Sequence, residues 1–175
     1  MRGASTQVRL LHKDDAEAWA LVRREALEAH PLAFGASVPE ELSVLAEAVR
    51  PRLSPNDESA VFGAFDGDSL IGIVGIVRNA GTKERHKSLI WGMYVTASSR
   101  RRGVGALLVR AAIEQARSWP GVELVHLAVS ETAADAKRLY ERLGFQEWGR
   151  EPRALFWGGR FADELHMVLD LCDRP

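Results

Sequence analysis

WGMYVTASSRRRGVGA, residues Trp91 to Ala106, decides how this chain of 175 residues is read. Leu89 to Val95 is apolar apart from Gly92 and rich in aromatic and β-branched residues, which predicts a buried central strand. Thr96 to Ser99 breaks that run. From Val104 the period becomes helical: Val104, Leu107, Leu108, Ala111 and Ala112 share one face, with Val109, Ile113 and Ala116 beside it. Only Arg110, Glu114 and Arg117 form a wet stripe, so the helix is expected to lie against a sheet until Trp119-Pro120-Gly121 ends it. The unit is strand, polar turn, glycine-bearing helix start.

Such a helix start has unpaired N–H groups and the positive end of the macrodipole, which together attract an anion. Gly103 and Gly105 would let a ligand approach the backbone, and Arg100, Arg101 and Arg102 would add charge around the same mouth. A phosphate or pyrophosphate seat is one reading; a helix cap with exposed arginines is the other. Two common phosphate loops are excluded. A Walker loop ends in Gly-Lys-Ser/Thr, which does not occur here, and a dinucleotide fingerprint needs a third glycine where this chain has Leu108.

Composition narrows the field further. The length suits one domain, residues 1–175, with a sizeable core. Net charge is −1, so nothing general draws the chain to nucleic acid or an acidic membrane. No apolar run approaches the roughly 20 residues of a membrane span, and MRGASTQVRL lacks a signal-peptide core. A single cysteine, Cys172, excludes an internal disulfide and makes no metal cluster; a cytoplasmic setting is expected.

Working outward, Gln7 to Leu11 predicts a short strand, and Asp14 or Asp15 a cap for a helix to about Ala29. Trp19, Leu21, Val22, Ala26 and Leu27 are its expected buried positions. His30-Pro31 ends that helix. The loop PLAFGASVP (31–39) and a second helix, Glu40 to Arg50 with Leu42, Leu45, Ala46 and Val49 on one face, read as plain packing or as one wall of a substrate pocket. Ala60 to Phe65 and Leu70 to Val77 flank Asp66-Gly67-Asp68-Ser69, a hairpin. Val122 to Val129 predicts a strand parallel to the Leu89 strand. Thr132 to Leu143 predicts a helix, with Thr132 as N-cap and Gly144 at the C-terminal cap. Arg153 to Trp157 and Phe161 to Leu169 predict a closing hairpin around Gly158-Gly159. The predicted order is β-α-α-β-β-β-α-β-α-β-β: an α/β (α+β) domain with a central mixed sheet and helices on both faces.

Two motifs in this frame resemble one family. Arg100-x-x-Gly103-x-Gly105 after a strand is similar to the acetyl-CoA pyrophosphate loop, Gln/Arg-x-x-Gly-x-Gly/Ala, of the GNAT N-acetyltransferases. Ala136-x-x-Leu139-Tyr140-x-x-x-Gly144-Phe145 resembles the Leu-Tyr-x-x-x-Gly-Phe that ends a later helix of the same family. The resemblance is firmest from Leu89 to Phe145 and implies the GNAT acyl-CoA N-acyltransferase fold. It implies acetyl-CoA as cosubstrate without a metal, and transfer of acetyl to a primary amine by direct attack in a ternary complex.

Residue by residue, the resemblance implies that backbone groups of Met93 and Val95 bind the pantetheine arm. It implies that an N–H near Met93–Tyr94 stabilises the acyl oxygen, as an oxyanion donor does. The N–H groups of Arg101, Arg102, Gly103, Val104, Gly105 and Ala106 would hold the pyrophosphate. Tyr140 would protonate the departing thiolate, since a phenol near 10 stays protonated where a thiol near 8.5 begins to ionise. Outside the motif, Tyr140 reads as a half-buried helix aromatic. One position departs from the family: Ala133 stands where an asparagine often touches the cofactor, and Thr132, Asp135 or a water would replace it.

The general base is not carried by either motif. A lysine-type amine costs about 4 kcal/mol to deprotonate at pH 7.5. Some relatives use a glutamate on the strand matching Val122 to Val129, but Ala128 stands there. His126, two residues back on the same face, titrates in the right range. Glu84 and His86 before the central strand, and Glu164 and His166 on the last one, are further candidates. Cys172 lies outside both motifs, so no cysteine intermediate is expected. A module that senses CoA without turnover is the alternative function, and an arginine-driven nucleic-acid binder a distant third. An exposed edge after the Phe161 strand would support a homodimer.

Overall fold

The computed structural model describes residues 6–38 and 46–172. Alternating apolar residues lay down a meander of β1 (Gln7–Leu10), β2 (Ser59–Asp66), β3 (Ser69–Arg78) and β4 (Lys87–Val95). The chain crosses over through α3 (Val104–Ser118) to β5 (Leu124–Ser130), then passes α4 (Ala134–Arg142) to β6 (Gln146–Trp157) and β7 (Arg160–Asp170). The sheet order is β1-β2-β3-β4-β5-β7-β6, and β4–β5 is its one parallel pair. The element order and the mixed sheet are those expected.

Period-two alternation sends neighbouring residues of β3 to opposite layers. Val74 and Ile76 join Val104, Leu108, Val109, Ala112, Ile113 and Ala116 of α3, with Val125, Leu127 and Met167. Ile73 joins Trp19, Val22 and Ala26 of α1 (Ala16–Ala29), with Leu11 and Tyr94. Helices therefore cover both faces. α1 packs on β3 and β4, whereas the same face of β5 and β7 carries exposed Ala128 and half-exposed His126, Glu164 and His166.

The feature that positions everything else is a bulge in β4. Gly75 pairs with Trp91 and Ile73 with Tyr94, so three steps on β4 answer two on β3. Gly92 takes up the extra residue at φ +62°, a conformation that favours glycine. Beyond this point β4 leaves its parallel neighbour. The two strands pair only over Lys87–Leu89 and Leu124–His126, although each runs several residues further. A wedge opens between them.

The bulge is locked from the other side by Gly75. A Cβ there would lie 2.1 Å from the Trp91 indole, a rigid ring rather than the end of a flexible side chain. Gly75→Ala is expected to cost about 2 kcal/mol by overpacking. Thermal denaturation should show a fall of about 5 °C, and an unchanged Tm would mean that Trp91 is free to swing away.

Several local expectations are corrected. Leu21 is 71% exposed and Leu107 43% exposed. The buried stripe of α3 runs 104, 108, 109, 112, 113, 116, one step round from the expected face, because it is the sheet that sets which arc is covered. In α1, buried Arg23 lies on the covered side and stacks on Phe34 at 5.0 Å. Asp15 sits before α1 but caps nothing in it: its carboxylate takes Arg9 at 2.8 Å and the His12 N–H.

Of the expected second helix, Glu40 to Leu45 lie outside the described residues. The remainder is α2 (Ala46–Val49), followed by a 3₁₀ turn, Arg50–Leu53, that contains Pro51. α4 begins at Ala134 with no side-chain cap, because the Thr132 hydroxyl is turned to Ser130 Oγ at 2.9 Å. The closing hairpin starts seven residues earlier than expected, at Gln146. Pro152 does not stop it, since β6 is an edge strand and bulges between Glu151 and Leu155. The Phe161 strand, β7, is interior, so the expected free edge belongs to β6, where Pro152 and the bulge oppose strand addition by another chain.

Candidate active site

The turn after β4 is built by two left-handed residues. Arg101 has φ +61° and Gly103 φ +80°, a curl that turns successive N–H groups inward. α3 then starts at Val104 with no side-chain cap and no acidic residue in its first turn, so its leading N–H groups remain for a ligand. A Cβ on Gly103 would meet nothing within 4 Å, so there is open space at that point. A Cβ on Gly105 would lie 2.9 Å from Met93 Cε and 3.0 Å from Leu139 Cδ2. Gly105 thus lets β4, α3 and α4 converge. The cradle fits a phosphate group by backbone geometry rather than by side-chain charge.

The three arginines divide. Arg100 donates from Nε to Val95 O at 3.1 Å, and one terminal nitrogen reaches Tyr94 Oη at 3.2 Å and His30 Nε2 at 2.9 Å. Arg102 pairs with Asp66 at 2.9 Å. Of the three cations expected around the phosphate mouth, these two guanidinium groups are held by the chain's own acceptors, and Arg101 is exposed. Tyr94 also donates to Glu25 Oε1 at 2.9 Å, and burial with that carboxylate pushes its hydroxyl up to about 12.

Leu139 brings the second motif to the first. The motif itself is a helix cap. Gly144, at φ +95°, donates to Glu141 O, and the Phe145 N–H donates to Tyr140 O at 3.1 Å, closing a Schellman turn. Phe145 then packs edge-on against Tyr140, with ring centroids 5.9 Å apart. The Gly-Phe pair therefore fixes the backbone and the ring of Tyr140 together. Tyr140 is buried beside α3 and β5, and burial alone raises its pKa above the ordinary phenol range. Its proton stays on oxygen throughout the physiological range. At the start of the same helix, Ala133 leaves no polar side chain. Thr132 is bound to Ser130 and Asp135 pairs with Arg138, so both expected substitutes for an asparagine are engaged locally.

On the other face, His126 stands level with Leu89, where the wedge begins to open. Its Nε2 is buried and has no hydrogen-bond partner. Burial first, then the charges of Lys87, His86 and His166, lower its pKa below the ordinary histidine value. Trp148, 60% exposed, covers it edge-on at 6.3 Å and leans on His166 at 5.4 Å. Trp148 was not singled out in the sequence, since nothing local signals a residue brought across two strands. Glu164 lies further along the opening, opposite Ser130, with its carboxyl raised by burial. His166 faces Glu151 at 3.4 Å. Glu84 and His86 sit at the closed end, where Glu84 pairs with Lys87 and the His86 carbonyl accepts from Glu123 and Leu124. Cys172 is also at that end, next to Leu171, whose N–H donates to Glu123 O. Among the described residues, no group of three or more His, Cys, Asp or Glu side chains could hold a metal ion.

A backbone cradle at a helix start, a split β4–β5 pair and a buried tyrosine on the following helix thus lie together around one opening in the sheet. The sequence profile of the acetyltransferase (GNAT) family matches residues 19–145. This chain belongs to the GNAT acetyltransferase family. It is similar in structure to a GNAT-family acetyltransferase from Streptococcus pneumoniae, at 23% identity and TM-score 0.83, covering 95% of this chain and 100% of that one. A GCN5-related N-acetyltransferase from Kribbella flavida is 27% identical, with TM-score 0.80 over 95% and 98% of the two chains. The putative acetyltransferase yncA from Salmonella typhimurium, solved with its cofactor acetyl-CoA, is 19% identical, with TM-score 0.79 over 97% and 95%. No curated protein matches the chain by sequence.

Proposed function

We propose that the protein is an acetyl-CoA-dependent N-acetyltransferase that transfers acetyl to a primary amine by direct attack in a ternary complex. The observation that carries this reading is the close packing of both Met93 and Leu139 on Gly105, where an added Cβ would lie 2.9 Å and 3.0 Å from them, which joins an open cradle to the helix of Tyr140. The N–H groups from Arg101 to Ala106 bind the pyrophosphate, and the backbone of Met93 and Val95 along the wedge binds the pantetheine arm. An N–H at Met93–Tyr94, aimed by the Gly92 bulge, stabilises charge developing on the acyl oxygen. Tyr140 Oη gives its proton to the thiolate as the C–S bond breaks. The amine, approaching from the face of His126, gives up a proton to that histidine through intervening water.

Calorimetric titration with acetyl-CoA, CoA and ATP tests the reading directly. Micromolar binding that prefers the CoA compounds supports it, and an amine screen monitored by thiol release then identifies acceptors. Absence of binding to every CoA species would sink it.

His126 carries a separate prediction. Its lowered pKa keeps the ring neutral as pH falls through the ordinary histidine range, so the acid limb of kcat/KM is expected below pH ~6.5. His126→Gln should remove that limb and lower kcat by about a hundredfold, the lower end for a general base. An unchanged profile would move the role to Glu164.

A further inference from the structure

Arg100 is the first residue of the family-like turn, yet its side chain is spent on three partners that are not ligand. It spans from its own strand, at Val95 O, to Tyr94 Oη and then to His30 Nε2, 70 positions earlier in the chain. Its guanidinium also lies over the Tyr94 ring, 5.5 Å from the centroid, and the His30 ring tilts against the same tyrosine at 5.9 Å. His30 is the C-cap of α1, its N–H bound to Ala26 O and its carbonyl accepting from Ala33. The guanidinium has donors only, so His30 Nε2 must accept, which requires a neutral ring with its proton on Nδ1.

We propose that Arg100 is a positioning residue that latches the phosphate turn to the C-terminus of α1 through Tyr94 and His30, so that the turn's hold on CoA depends on His30. The inference rests on the reading of that turn as the CoA site. Physically, the turn contains two left-handed residues, Arg101 and Gly103, and a curl of that kind holds its N–H groups in register only while its ends are fixed. The α3 end is fixed by the convergence at Gly105, and the β4 end by this latch. The charged and titratable groups that bear on His30 are Arg100 from the turn and Tyr94 from β4, with Glu25 of α1 behind Tyr94. Burial and the Arg100 charge both disfavour a proton on His30, so the latch is closed at neutral pH and opens on acidification, when two cations would face each other.

The test is a double-mutant cycle read by calorimetric Kd for acetyl-CoA, with Tm measured alongside. Arg100→Ala and His30→Ala are each expected to weaken binding roughly fivefold to tenfold, and the double variant no more than the weaker single. Arg100→Lys should behave like Arg100→Ala, because it keeps the charge and loses the fork. His30→Gln, whose amide oxygen can still accept, should bind like the parent. Strictly additive effects would overturn the latch. So would an Arg100→Lys variant that binds normally, or an Arg100→Ala loss that disappears at high salt while His30→Ala is silent, which would make Arg100 a direct phosphate contact. Parent protein that binds no CoA compound would instead bring down the proposed function, and the latch with it.

Discussion

Tyr140→Phe is expected to lower kcat for acetyl transfer by about 10²–10³-fold while leaving the acetyl-CoA Kd within about twofold. Only the hydroxyl group is removed, and among the described residues it has no hydrogen-bond partner to lose. Phenylalanine keeps the edge-on packing on Phe145 and the Schellman cap, so the fold should hold. Because burial raises the tyrosine's pKa, the parent enzyme should show no loss from Tyr140 ionisation up to about pH 10. Steady-state rates with an accepted amine, paired with calorimetry, check both halves. Undiminished turnover would assign leaving-group protonation to water. A protein that binds acetyl-CoA and turns over no amine before or after the change would be a sensor.

Gly103→Val should act on binding rather than on chemistry. Its φ of +80° is strained for a β-branched residue by about 1–2 kcal/mol, and the new side chain projects into the open space of the cradle. Each lost N–H contact to a charged phosphate is worth about 1.5–3 kcal/mol, so the Kd for acetyl-CoA is expected to rise at least a hundredfold. Tm should fall by only a few degrees, since nothing in the core lies within 4 Å of that Cβ. Retained micromolar affinity in this variant would remove the turn from the phosphate site.

The order of elements and the mixed sheet were legible because β2, β3, β4 and β5 are regular apolar runs between unambiguous turns, and because Gly103, Gly105 and Gly144 mark special backbone positions. The motif around Tyr140 was legible for a related reason: a helix cap is a local device and leaves a local signature. What escaped the sequence was everything decided by distant partners. Arg100 reads as charge at a phosphate mouth until His30, 70 positions away, is placed beside it. Trp148 lies outside every element that the sequence predicts until two strand pairings set it over His126. Leu21 and Leu107 fit helical stripes of the right width whose centres only the sheet could fix. The length of β6 was missed because proline and glycine argue against a strand, an argument that fails at an edge.

A gap between two strands of a sheet is a hole with two mouths. Tyr140 belongs to the layer on one side and His126 to the face on the other, so the two proton carriers of the proposed reaction stand on opposite banks. Each substrate would then have its own doorway, and each product could depart without waiting for the other to clear the way. A single inhibitor mimicking both substrates would have to be threaded through the sheet like a bolt through a plate.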